Sequence, residues 1–452
     1  MKKRQDHPAL QRGHTTEERR TVKTRTNNIV SYPGNRAVGQ KRKYSRPTAS
    51  SRSERLAVKK RVSKGSTVNK HTLGNKVPPL YIWGDFDVPF LLLTLALLGF
   101  GLVMMFSASY ARAYYDFDNS FYFIGRQIVW SMIGITGMIA ASFVNYHWLR
   151  RFVWPLYFVS IVLCMACYLF DAYNGARRSI YIGPLSFQPS EIGKLALIFL
   201  FAHLMTKDQD KMGRLWEGTL RYLVLFGGLA VVVVMQPHLS ATLLMAGITV
   251  AMLFVGGAKI QHLIGVGVTG LAGIAALVVT MWGFFSDRFA HVLVRLSYWL
   301  DPFSSMDWGS YQTRQSLLAI GSGGLLGVGL GESRQKQLYL PEVQNDFVFA
   351  VVCEELGFVG ACIIILLFAL LIWRGYTIAL HAKDRFGSLI AVGITTQIGM
   401  QAMLNIAVVT NTIPNTGISL PLFSYGGTSL CMILGELGIL LAVSRQGNYE
   451  KE

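Results

Sequence analysis

From Val88 onward the chain repeats one pattern ten times: an apolar run close to the length, about 17 to 25 residues, that a helix needs to cross a bilayer. The runs centre near Leu98, Ile135, Ser160, Ile198, Leu229, Ile248, Ala272, Ile363, Gln397 and Leu437. The expected fold is therefore all-α, a polytopic membrane protein with ten transmembrane helices. Composition points the same way, because 452 residues that are 52% hydrophobic carry more apolar surface than one soluble core can hide. An even number of spans puts both termini on one side. The short connections holding Arg150/Arg151, Lys207/Lys211/Arg214/Arg221, Lys259 and Arg374/Lys383/Arg385 all fall on that side, which by the positive-inside rule is the cytoplasm.

The formal net charge of +18 would suggest nucleic acid if it were spread over a folded surface, but residues 1 to 80 alone hold 21 Lys and Arg against four acids. That segment has few large hydrophobes and no apolar periodicity, so it cannot offset its ordering entropy. It is expected to be a disordered basic cytoplasmic tail (1–80) that fixes topology and touches anionic head groups, with no nucleic-acid partner. Residues 81–446 then form the membrane domain and 447–452 a short cytoplasmic C-terminus. All five cysteines lie in apolar runs, so no disulfide is expected, and Cys164 and Cys167 read as packing.

Two exterior loops are substantial: 171–188, and about sixty residues, 286–345, between the seventh and eighth spans. In the second, the spacing of Phe289, Val292, Leu293, Leu296 and Trp299 predicts a helix lying in the interface. The glycines of "GSGGLLGVGLGESRQK" follow no strand and do not read as a nucleotide loop; they supply flexible backbone before Arg334 and Lys336.

Ionisable residues within or beside spans normally face a cavity or a partner. "SFQPSEIGKLAL" opens the fourth span with Pro189 in a first-turn position, Glu191 favoured by the dipole, and Lys194 three residues on along the same face. The pair either fixes packing or offers a cation at the outer mouth of a cavity. Arg126, Arg177 and Arg178 fall on the same exterior side, a set suited to the phosphates of an anionic lipid. "LYLPEVQNDFVFAVVCEELGFVG" carries Glu342, Asp346, Glu354 and Glu355. With the eighth span helical from Asp346, Glu354 lies about 80° around and roughly 12 Å deeper, and Glu355 lies about 180° away. The four acids are thus no single site. Glu354 and Glu355 are expected to bond neighbouring helices, and Asp346 is placed to act as a general base on a substrate hydroxyl.

These residues resemble the shape, elongation, division and sporulation (SEDS) proteins, the FtsW/RodA/SpoVE group. The resemblance runs over roughly residues 85 to 445 and rests on "FSASYA", "FYFIGRQ", "NGARR", "SFQPSEIGKLAL", the stretch from "GSGGLLGVGLGESRQK" to "CEELGF", and "NTGISLPLFSYGGTSL". It implies ten helices and a peptidoglycan glycosyltransferase that polymerises lipid II, an undecaprenyl-pyrophosphate disaccharide-pentapeptide, at the outer leaflet. A class B penicillin-binding transpeptidase and other divisome membrane proteins are the implied partners, and the cytoplasmic membrane at the septum the implied place. The family's essential aspartate in "LPExxxDFxFA" falls on Asp346. Arg126, Arg177 and Lys194, then Arg334 and Lys336, would steady the departing pyrophosphate, with Gln188 and Glu191 orienting them. No metal-ligating motif is identified, and a divalent cation, Mg or Mn, is left open as a cofactor.

The chain departs from the family pattern in several places. His238 stands where relatives have an acid, Ser305 falls at an acidic position of the long loop with Asp307 two residues on, Ser179 replaces a tryptophan, and Glu436 has no counterpart. The motif wording leans toward the division and sporulation branch. A lipid II flippase and a non-catalytic scaffold for the transpeptidase are the rival readings.

Overall fold

The computed structural model describes residues 84–170, 179–182, 185–236, 239–280, 297–303 and 308–447. The basic tail, Arg177, Arg178, His238, Ser305, Asp307 and most of the predicted interface helix lie outside the described residues.

The helices are α1 (Val88–Phe117), α2 (Tyr122–Phe143), α3 (Val153–Ala166), α4 (Pro189–Lys207), α5 (Arg221–Met235), α6 (Leu239–Gly256), α7 (Ile260–Thr280), α8 (Trp308–Gly323), α9 (Val348–Leu380), α10 (Arg385–Val409) and α11 (Gly427–Gln446). Each apolar centre read from the sequence falls inside one of them, and α8 sits within the long loop. Among the described residues six helices are long and apolar enough to cross a membrane: α1, α2, Leu215–Met235, α9, α10 and α11. The all-α expectation has one exception. Strands β1 (Ile180–Ile182) and β2 (Leu185–Phe187) pair antiparallel, Tyr181 opposite Ser186, just before α4.

Side-chain placement is that of a protein dissolved in lipid. Large apolar residues such as Leu92, Val129, Met132, Phe158, Val162, Val231, Phe358 and Leu366 are exposed, whereas Thr94, Gln127, Ser131, Gln397, Gln401, Asn405 and Glu436 are buried. Buried polar groups facing the bundle interior and an apolar outer surface are what hydrocarbon solvent selects. The chain is an integral membrane protein. α4, α10 and α11 bury most of their length, with Phe199, Phe201, Ile390, Ile394, Leu437 and Leu441 in the shared core.

One end of the bundle is knitted by charge. The Asp87 carboxylate accepts the Phe90 N–H at 2.9 Å, capping α1, and also takes Arg374 of α9 at 2.8 Å. Asp384 caps α10 and pairs with Arg150 at 2.8 Å, while Arg221 reaches Asp208 at 2.6 Å. The opposite end is assembled around a break in α9. That helix begins at Val348, two residues after Asp346, and opens at Gly357, where φ is +67°.

A helix break frees backbone groups that need partners in an apolar bundle. The glycine-rich segment 324–329 supplies them: Phe358 N–H donates to the Gly324 carbonyl at 2.9 Å, Val328 N–H to Glu354 at 3.0 Å and Gly329 N–H to Glu355 at 3.1 Å. A Cβ on Gly357 would lie 2.2 Å from the Gly327 nitrogen, so no larger residue fits this crossing.

Candidate active site

At the end away from that charged face, an open cavity of about 530 Å³ is lined by Arg126, Gln188, Glu191, Lys194, Asp346 and Gln401, among others. The first turns of α4 supply three of these. Pro189 starts the helix, and the spacing of three residues puts Glu191 and Lys194 on one face, where Lys194 Nζ lies 2.8 Å from Glu191 Oε2. Lys194 is 1% exposed and also donates to Gln401 Oε1 of α10 at 3.4 Å, so it forms the floor of the cavity. Arg126 of α2 is exposed at the rim, its guanidinium 4.6 Å from the Tyr122 ring centroid. Of these two cations Lys194 is buried and Arg126 exposed. Burial raises the Tyr425 phenol pKa against the lowering influence of Arg126, which keeps Tyr425 a neutral hydrogen-bonding group at this rim.

Asp346 is held by its backbone. The Asn345 and Asp346 N–H groups close a turn onto the Glu342 carbonyl at 3.0 and 3.2 Å, and Glu342 itself has φ +52°. Gln312 of α8 donates to the Pro341 carbonyl at 3.2 Å, Tyr425 N–H to Gln344 at 2.8 Å, and Asn405 Nδ2 of α10 to the Asp346 carbonyl at 2.8 Å. Buried Leu340, Val343 and Phe347 pin the segment from below. Gly417, at φ +68°, faces the carboxylate so closely that a Cβ there would stand 3.3 Å from Asp346 Oδ2. A carboxylate on a fixed loop, a buried ammonium and a rim guanidinium thus share one polar, open cavity. Such a set can take a proton from a hydroxyl and hold phosphate nearby.

Two of the proposed phosphate-binding residues are not brought to the cavity. Lys336 is 2% exposed, with Nζ 2.7 Å from Glu355 Oε1 and 3.0 Å from Ser107 Oγ of α1. Its charge is consumed by a buried ion pair. The Arg334 side chain is exposed elsewhere, and its backbone N–H donates to Glu354 Oε1 at 2.9 Å. Glu354 accordingly binds the loop 333–335, whereas Glu355 binds both that loop and Ser107 of α1. Arg177 lies outside the described residues.

Sequence reasoning passed over Gln312, Gln401 and Asn405, uncharged amides within or beside apolar runs. The four-residue spacing of Gln397, Gln401 and Asn405 was the signal available. Glu436 has a partner that the sequence did not reveal: Gln397 Nε2 reaches its two oxygens at 3.0 and 2.8 Å. Among the described residues no group of three or more His, Cys, Asp or Glu side chains is placed to hold a metal ion.

The family of cell cycle proteins FtsW, RodA and SpoVE matches residues 89–449. The chain belongs to this family. Stage V sporulation protein E of Bacillus subtilis is 41% identical over 366 residues, 80% of this chain and 98% of that relative. A probable peptidoglycan glycosyltransferase FtsW of Geobacter sp. is 38% identical over 362 residues, 79% of this chain and 96% of its own. Among solved structures, a chain of a peptidoglycan synthase complex described as coordinating polymerization and crosslinking aligns with TM-score 0.67 and 28% identity, covering 81% of this chain and all of that one. The rod shape determining protein RodA of Thermus thermophilus aligns with TM-score 0.59 and 28% identity over 81% of this chain and 99% of its own. Of the departures from the family pattern read in the sequence, Ser179 lines the cavity.

Proposed function

We propose that the chain is a peptidoglycan glycosyltransferase that polymerises lipid II at the outer face of the cytoplasmic membrane during division or sporulation, beside a class B penicillin-binding transpeptidase and other divisome membrane proteins. In this reading ten helices span the bilayer, both termini are cytoplasmic, and the knitted charged end faces the cytosol. The observation that carries it is the sharing of one cavity by Asp346, Lys194 and Arg126. The relatives named as peptidoglycan glycosyltransferases support the reaction class, and the synthase complex supports the partner.

The Asp346 carboxylate takes the proton of the acceptor sugar's 4-hydroxyl as that oxygen attacks the donor's anomeric carbon. The bond from that carbon to the pyrophosphate oxygen breaks, and its electron pair leaves with the lipid diphosphate. Arg126, Lys194 and Arg177 balance the charge that develops there, oriented by Glu191 and Gln188.

The full chain purified with its transpeptidase partner and given labelled lipid II in detergent is expected to yield polymer on a gel, and Asp346→Ala none. Polymer from Asp346→Ala would overturn the base assignment. Transfer of lipid II across vesicles without polymer from the native chain would make it a flippase instead.

A further inference from the structure

We infer that Asn405 is a positioning residue for Asp346, and that α10 holds the base and the cavity cation in fixed relation to each other. The inference rests on the reading of Asp346 as the base.

α10 carries three buried carboxamides, Gln397, Gln401 and Asn405, four residues apart and so stacked along one face. An amide buried in an apolar bundle is costly without partners, and two of these three, Gln401 and Asn405, reach residues of the cavity. Gln397 donates to the Glu436 carboxylate at 3.0 and 2.8 Å. Gln401 accepts from Lys194 at 3.4 Å and donates to the Ser419 carbonyl at 3.1 Å. Asn405, 0% exposed, uses Nδ2 twice: to the Asp346 carbonyl at 2.8 Å and to the Ile418 carbonyl at 2.7 Å.

Both partners of Asn405 are carbonyl oxygens, which accept and cannot donate, so the amide nitrogen must face them. One side chain thereby draws the Asp346 loop and the 417–419 segment together. That segment brings Gly417 against the Asp346 carboxylate, where a Cβ would stand 3.3 Å from Oδ2. One turn away, about 6 Å along the same helix axis, Gln401 holds Lys194 and the other end of that segment. Base and cation are thus spaced by the rigid pitch of α10, which ties the loop carrying Asp346 to the α4 helix carrying Lys194. Asn405 meets the backbone of Asp346, not its carboxylate, so its effect on chemistry is through position. A displacement of the reacting carboxylate by about 1 Å lowers rate by roughly 100-fold. Substrate affinity, made by the cations, should change little.

The test uses the full chain with its transpeptidase partner and labelled lipid II, comparing kcat, KM and thermal unfolding for the native protein, Asn405→Ala, Asn405→Asp, Gly417→Ala and Asp346→Ala. Asn405→Ala is expected to lower kcat by roughly 100-fold with KM nearly unchanged. Asn405→Asp should be at least as severe, because it turns an acceptor oxygen toward two carbonyls. Gly417→Ala presses on the carboxylate from the other side and should also lower kcat. A folded Asn405→Ala with near-native kcat overturns the inference, as does one whose loss lies wholly in KM. Should Asn405→Ala not fold, Gly417→Ala decides: a folded Gly417→Ala with native kcat overturns it. An inactive Asp346→Ala beside an active Asn405→Ala removes the positioning claim alone, whereas an active Asp346→Ala removes the base assignment and the inference with it.

Discussion

Lys194 shows how a single charge is made both affordable and useful inside a membrane bundle. Its ammonium is answered by Glu191 at 2.8 Å and Gln401 at 3.4 Å while still bordering the cavity. Lys194→Met should therefore leave Glu191 poorly compensated and destabilise the protein by about 3 kcal/mol, read as a fall in denaturation midpoint in detergent. Adding Glu191→Gln should recover most of that stability without restoring polymerisation; recovery of activity would show that the cation is structural. The Glu191–Lys194 contact was legible in the sequence because three residues along a helix is a fixed geometry. Lys336 was misread for the complementary reason. Its partner Glu355 comes from a different element, and nothing in a charge pattern shows that a turn at Gly357 will fold the loop back onto α9. Asn405 went unread because an uncharged amide within an apolar run carries no mark of what it will bond.

At the scale of elements, the glycine-rich loop and the break in α9 form one unit, stapled by Lys336, Glu355 and Ser107. Lys336→Met should loosen it, exposing residues 324–336 to limited proteolysis and lowering thermal stability. The double variant Lys336→Met/Glu355→Leu should regain stability, because an apolar pair leaves no orphaned charge. Absence of any proteolytic change in the single variant would show that the staple is dispensable.

The junctions at the opposite end behave differently. Burial acts to raise the Asp384 pKa, but hydrogen bonds from His147 and Tyr146 and the charges of His147 and Arg150 win, bringing it down to about 2. A depressed carboxylate stabilises the fold fully above its unfolded value near 4 and loses that contribution as pH falls toward 2. The stability gap between native and Asp384→Asn should accordingly be constant above about pH 5 and close below pH 4. A gap that persists unchanged at the lowest pH would contradict it. Helix positions were readable from hydrophobic run length. The helix α8 and the β1–β2 ladder were not, since each depends on docking against neighbours more than on its own pattern.

For the whole molecule, the arrangement separates two jobs along the membrane normal. Ion pairs and caps at one end fix the bundle, and the cavity at the other gathers Asp346 from the long loop, Lys194 from α4 and Arg126 from α2. The sequence could name Asp346 and Lys194, while their meeting across more than 150 residues is a product of the packed α4–α10 pair. Membership of the FtsW/RodA/SpoVE family spans this entire unit, residues 89–449. The central claim is that one carboxylate at the outer membrane surface accepts the proton of the attacking sugar hydroxyl. Asp346→Asn keeps the side chain's size and removes its basicity, so the most direct measurement is polymer formed per unit time from labelled lipid II by the Asp346→Asn protein with its transpeptidase partner. The account predicts no polymer above background while lipid II binding is retained; polymer at a rate near that of the native chain would contradict it.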